Sequence, residues 1–283
     1  MGPRSLVLLS ALCFATTGTA QALGPDGTEP VVVGAARVAV GGALLAALFW
    51  RGDGRRWPRL PVGLGALGVA GYQLTFFAAV SETGVAVGTV VALGSGPVFA
   101  GLLAREPLSA RWAGATALAV AGVTVLVAAG GSAEIDPGGV ALALGAGLSY
   151  ATFTVAAKGL VAAHGPEAVM ARLFGSGALL LSPVLVVRGL GAVGSAGGLA
   201  LALYLGAVAT ALAYVLFGRG LRHLPASEVA TLTLAEPLTA TALGVVVLGE
   251  RPGPIALLGV ALVLAGLAIL AAPGRRDPGV HPA

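Results

Sequence analysis

The sequence predicts an all-α polytopic membrane protein whose ten transmembrane helices form two inverted five-helix repeats. Three observations carry that prediction: the composition, ten apolar runs of crossing length, and a second half that repeats the first. Of the 283 residues, 57% are hydrophobic and 10% are charged, where a soluble domain carries about a quarter charged residues. The mean hydropathy of +0.95 is an average over the whole chain, so the apolar residues cannot all be one core inside a polar shell. The bilayer must be the solvent. At about 20 residues per crossing, ten helices consume most of the chain and leave only short connections.

In chain order the apolar segments cover roughly 5–23, 31–50, 60–80, 83–104, 109–129, 138–159, 167–187, 197–217, 227–248 and 254–272, each long enough to cross. The runs are continuously apolar, whereas a membrane β-strand alternates over about ten residues. The first segment, preceded by Arg4 and followed by Ala20-Gln21-Ala22, also fits a secretory signal and its cleavage site. It is read as a retained helix because it recurs inside the chain, where no signal can be.

The recurrence is specific. Leu12-Cys13-Phe14-Ala15-Thr16 matches Leu148-Ser149-Tyr150-Ala151-Thr152, and Arg37 with Gly42-Ala43-Leu44-Leu45 matches Arg172 with Gly177-Ala178-Leu179-Leu180. Further on, Phe77, Ala86 and Pro97 match Phe217, Ala226 and Pro237, and Glu106 and Gly122 match Glu250 and Gly266. The expected organisation is a first repeat over 1–130, an external linker at 131–137, a second repeat over 138–272 and a cytoplasmic tail at 273–283. Five is odd, so the second half enters the membrane from the opposite side and the repeat is inverted.

Charge supports the same topology. The net charge is +4, and 15 of the 16 basic residues are Arg. They fall between apolar runs and form no single patch, so nucleic acid is not expected as a partner. With the N-terminus inside, Arg4, Arg51, Arg55, Arg56, Arg59, Arg105, Arg111, Lys158, Arg219, Arg222, Arg275 and Arg276 lie on the inner side, while Arg188, Arg251, Asp26, Glu29, Glu82, Glu134, Asp136 and Glu250 lie outside. Both termini are therefore expected in the cytoplasm. Cys13 is the only cysteine, and His164, His223 and His281 are far apart. No internal disulfide, zinc site or other cofactor is expected. The absence of asparagine excludes N-linked glycosylation, and the excess of Arg, Ala, Gly and Val suggests a GC-rich bacterium, hence its cytoplasmic membrane.

Several residues join these observations into a family pattern: five plus five helices, Arg37 and Arg172 in the second helix of each half, Pro97 and Pro237 in the fourth, and Gly249-Glu250-Arg251-Pro252 closing the ninth helix. In this the chain resembles the EamA-type transporters of the drug/metabolite transporter superfamily. The first half departs from the pattern with Ala104-Arg105-Glu106-Pro107. The resemblance implies secondary transport of small organic solutes, often amino acids or other metabolites and commonly for export, and it implies no enzyme activity.

The chemistry is expected at the few polar groups inside the apolar runs, since an ionised side chain there costs at least about 2.5 kcal/mol. Glu236 precedes Pro237, whose missing N–H frees a carbonyl one turn back and whose ring kinks the helix. It is the candidate proton-coupling or cation-binding carboxylate, against a packing role with Thr231, Thr233, Thr239 or Thr241. Its first-half counterpart is Gly96, and that of Glu228, an expected interfacial residue, is Gly88. Arg37 and Arg172 are expected at opposite mouths, either closing each side through carbonyls or a substrate carboxylate, or only anchoring helix depth. Tyr72, Gln73, Tyr150, Thr152, Tyr204 and Tyr214 are candidates for a polar cavity. Gly63-Leu-Gly65-Ala-Leu-Gly68 and Gly189-Leu-Gly191-Ala-Val-Gly194 match a dinucleotide fingerprint, but neither follows a strand. The expected function is a monomeric secondary active transporter, an exporter by alternating access, moving a small solute coupled to H+ through the lipid bilayer. A channel or, third, a membrane enzyme are the alternatives.

Overall fold

The computed structural model describes residues 1–50, 55–129, 136–249 and 251–271. Arg51, Glu134, Glu250, Arg275, Arg276, most of the 131–137 linker and the tail lie outside the described residues. The helices are α1 Pro3–Ala22, α2 Pro30–Phe49, α3 Arg59–Gly84, α4 Val87–Ala104, α5 Ala110–Ala128, α6 Pro137–His164, α7 Pro166–Arg188, α8 Ala196–Leu221, α9 Ala226–Leu248 and α10 Pro254–Ala271. Eight are long and apolar enough to cross a membrane, and α5 and α10 are shorter apolar helices. The protein is an all-helical, ten-helix integral membrane protein.

Local sequence explains the boundaries. Prolines open α1, α2, α6, α7 and α10, where the missing N–H would have no intrahelical partner anyway. Asp136 Oδ1 accepts from Gly139 N at 2.8 Å and Ser195 Oγ accepts from Gly198 N at 3.1 Å, capping α6 and α8. Gly84 and Gly165, with φ of 78° and 74°, turn the chain between α3 and α4 and between α6 and α7. The turn at Gly165 is tighter than the hydropathy implied, so α6 extends to His164, and α8 likewise runs on to Leu221. Lys158 and Arg219 consequently lie on helices rather than in loops. The Gly63–Gly68 run lies inside α3, and the Gly189–Gly194 run ends in a 3₁₀ turn at Gly191–Gly194.

Side-chain contacts fix the direction of each helix. At one end, the Arg4 end, Arg4 at the start of α1 pairs with Glu228 at the start of α9 at 2.7 Å. There Arg111 of α5 donates to the carbonyl of Ile269 near the end of α10, and Arg219 of α8 pairs with Glu167 of α7 at 2.6 Å. At the opposite end, Glu29 before α2 pairs with Arg188 at the close of α7 at 2.8 Å. Helices α2 and α7, like α5 and α10, are thus antiparallel, and the second half is inverted relative to the first.

Glycines set the closest approaches. A Cβ on Gly122 would lie 2.6 Å from Val263 N, and one on Gly266 would lie 2.6 Å from Ala115 O. Because Gly122 and Gly266 are repeat counterparts, α5 and α10 cross with the same geometry seen from either half. Such backbone proximity is how membrane helices gain packing energy when lipid offers no hydrophobic penalty.

Two helices depart from regularity. Helix α9 is interrupted at Thr233–Leu234, whose ψ values are −14° and −6°. Its cause is Pro237, which cannot donate to the Thr233 carbonyl and whose ring crowds it; Glu236 N bonds that carbonyl instead at 2.9 Å, a tightened turn. Pro97 causes no such break, and α4 continues through it. Helix α8 carries a π-helical segment at Ala207–Leu212, a feature with no proline to announce it.

Candidate functional site

Tyr72, Tyr150 and Glu236 each sit near the midpoint of their helices, α3, α6 and α9. All three, with Arg37 of α2 and Tyr214 of α8, are only half-buried, although they lie deep in the bundle. Partial accessibility at that depth means that these side chains border an internal space. Arg37 and Glu236 are the charged members of this set. They nevertheless form no ion pair. The Glu236 carboxylate has no hydrogen bond from the protein, and Arg37 reaches only Thr17 Oγ1 at 3.5 Å, its Nε being buried without a partner.

An aromatic cluster, its phenylalanines of α1, α6, α7 and α8 buried in the core, backs these side chains. Phe14, Tyr72, Phe76, Tyr150, Phe153, Phe174, Tyr214 and Phe217 form one connected set, drawn from α1, α3, α6, α7 and α8, with centroids 4.0 to 6.5 Å apart. Tilted and edge-on pairs dominate, as ring quadrupoles prefer. Tyr150 Oη lies 3.2 Å from Thr233 Oγ1, at the break in α9. The hydroxyl that shares the Tyr150 face of α6 is Thr154, which donates to the Tyr150 carbonyl at 2.8 Å.

Not every candidate converges here. Thr152 lies on another face of α6 and bonds its own helix at Leu148 O; two residues along a helix are about 200° apart. Gln73 is buried with its Oε1 against Gly34 of α2. Tyr204 is exposed near the Glu29 end, in a pocket with Leu23 and Pro25. Of the threonines, Thr239 and Thr241 bond their own helix and Thr231 pairs with Thr116, so none holds Glu236.

Arg172 has a different setting altogether. Its guanidinium lies 4.6 Å from the centroids of both Trp50 and Trp57, and Trp57 in turn stacks on His164 at 4.0 Å. Nη2 donates weakly to Trp50 O at 3.5 Å. The two indoles flank the α2–α3 connection, so this stack ties the first half to the second at the Arg4 end. Sequence reasoning named neither tryptophan.

Comparisons with known proteins agree with this architecture. A profile of the EamA-like transporter family matches twice, over residues 4–128 and 137–272. The uncharacterized transporter YwfM of Bacillus subtilis is 42% identical over 279 residues, covering 96% of this chain and 94% of its own. The threonine/homoserine exporter RhtA is 32% identical in Salmonella typhimurium, over 96% of this chain and 92% of its own, and 32% identical in Escherichia coli K12, over 92% and 88%. A solved crystal structure superposes with a TM-score of 0.82 at 21% identity, covering 95% of this chain and 96% of the other, a likeness of fold. These relatives are transporters, not enzymes, and with both halves matched the chain belongs to the EamA-like transporter family.

Proposed function

We propose that the protein is a secondary active exporter of small zwitterionic, amino-acid-like solutes, working by alternating access and coupled to H+. One observation carries this reading: Arg37 and Glu236, opposite in charge and both half-buried deep in the bundle, form no ion pair with each other or with any other of the described residues. Two opposite charges that satisfied each other would form a salt bridge. Held apart, they match a solute that brings its own carboxylate and ammonium. Arg37 supplies the planar fork suited to a carboxylate, and Glu236 supplies the acceptor for an ammonium or for a proton. The half-buried rings of Tyr72, Tyr150 and Tyr214 fit the side chain of the solute, and the Tyr150 and Thr233 hydroxyls suit a polar one. The relatives named as threonine/homoserine exporters favour such a solute.

Competition at Glu236 gives the coupling: a protonated carboxyl holds an ammonium poorly, so proton entry expels the solute. The two repeats, 1–130 and 138–272, move against one another about this site as a monomer, with both termini in the cytoplasm of a bacterium. The Arg4 end gathers Arg55, Arg59, Arg105, Arg111, Arg219 and Arg222 and is the cytoplasmic one. The test is movement of labelled threonine and homoserine in proteoliposomes, with and without an imposed pH gradient. Wild-type protein should show saturable, gradient-dependent movement that Glu236→Gln abolishes; gradient-independent movement unaffected by the substitution refutes the coupling.

A further inference from the structure

Helix α9 has two pieces, Ala226–Leu232 and Ala235–Leu248, joined through the Thr233–Leu234 break. The first piece, at the Arg4 end, has no cap of its own, since Pro225 precedes it. Its leading groups are taken instead by Glu106, from the α4–α5 connection of the other half. The two Glu106 oxygens accept from Ala226 N at 2.6 Å, from Ser227 N at 3.0 Å and from the Ser227 hydroxyl. Glu106 is aimed there by Arg105, which has φ 51° and is the one non-glycine residue with positive φ among the described residues. A strained conformation of that kind persists only where its surroundings enforce it, and such sites cluster at clamps and switches.

Two further polar ties of this piece cross to the first half, while it also packs against α6 and α8 of its own half. Glu228 pairs with Arg4 of α1, and Thr231 meets Thr116 of α5 at 2.9 Å. Above the break the second piece carries Glu236. The piece below it therefore stands between the central site and the Arg4 end, hinged where α9 has lost its regular bonding.

We propose that this first piece of α9 is the door on the Arg4 side, and that Glu106 is the positioning residue that latches it shut. Glu106 does not touch solute; it acts through the helix start that it holds. When the latch releases, the piece swings about Thr233–Leu234 and opens the central site to the Arg4 side; when it closes, the site faces the other way. The inference rests on the reading of the central space as the solute site, but its test needs no solute.

The chain's one cysteine makes the test clean. In a Cys13→Ala background, Thr233→Cys places a thiol at the hinge, and its alkylation by a membrane-impermeant maleimide is timed in sealed vesicles of each orientation. Adding Glu106→Ala should raise the rate from the Arg4 side about tenfold, the scale of losing hydrogen bonds to a charged group, and lower it from the other side. Ser227→Ala, which removes a single bond and leaves the backbone contacts, should shift both rates in the same directions but less. If Glu106 is only a helix cap, both variants lower the melting temperature and leave the ratio of the two rates unchanged, and the proposal falls. Altered sidedness in these variants, together with no movement of threonine or homoserine by the wild-type protein, would retain the latch and remove the solute reading.

Discussion

Removing the charge of Glu236 should cost affinity only for solutes that bear an ammonium group. In the structure this carboxylate has no hydrogen bond to give up, so an ammonium placed against it gains a charge-assisted bond without breaking another. Such a bond is worth about 1.5–3 kcal/mol, or about 10- to 150-fold in dissociation constant at 25 °C. Isothermal titration of purified protein with threonine and with its analogue lacking the amine gives four constants when wild type and Glu236→Gln are both measured. The wild-type protein should prefer threonine by that factor, the variant should not, and both should bind the analogue with similar strength. The coupling energy of this cycle isolates the contact from the general effect of the substitution. If Glu236→Gln weakens threonine and the analogue equally, Glu236 does not meet the ammonium, and the placement of a zwitterion across Arg37 and Glu236 is wrong.

The Trp50–Arg172–Trp57 stack should be a stability element at the Arg4 end. Each cation–π contact is worth about 0.5–2 kcal/mol depending on desolvation, so Arg172→Gln should cost about 1–4 kcal/mol in thermal unfolding in detergent, and Trp57→Leu should add little in the Arg172→Gln background. Additive losses would show that the stack is not one unit. Gly122→Val should disrupt the α5–α10 crossing, because its Cβ would meet backbone atoms at Val263 and Gly259 that cannot rotate away. A loss of at least about 1–3 kcal/mol is expected, read as a fall in melting temperature, while Gly114→Ala on the same helix, open to its surroundings, should be tolerated.

How much of this could be read in advance depended on what makes each feature. Helix number and inversion come from properties that add along the chain, apolar length and repeat parity, and hydropathy reports both. Which way a side chain points is a different matter. In a membrane bundle the lipid-facing and core-facing sides are both apolar, so the amphipathic pattern that orients a soluble helix is missing. That is why the sequence pointed to Thr152 and passed over Thr154, although Thr154 is the one that shares the Tyr150 face. Contacts between distant segments were equally hidden. Glu106 caps a helix 120 residues away, and Arg172 is held by two tryptophans from the α2–α3 connection; no local spacing announces either. The π-helical stretch in α8 has no proline, and its one polar residue, Thr210, does not announce it.

The repeat also shows where symmetry ends. Gly122 and Gly266 make equivalent crossings, so the scaffold keeps a two-fold relation between its halves. Arg37 and Arg172 occupy equivalent positions but not equivalent surroundings: Arg172 is sheathed by indoles, while Arg37 reaches only Thr17 among the described residues and keeps its Nε unpartnered. At the position equivalent to Glu236 stands Gly96, and a Cβ there would already lie 3.2 Å from the Tyr150 ring. Tyr150, from the second half, thus packs against Gly96 where a side chain equivalent to Glu236 would begin. A single acidic group on one side of a symmetric frame gives the site a fixed orientation for an unsymmetrical solute, which a second, mirrored carboxylate would abolish.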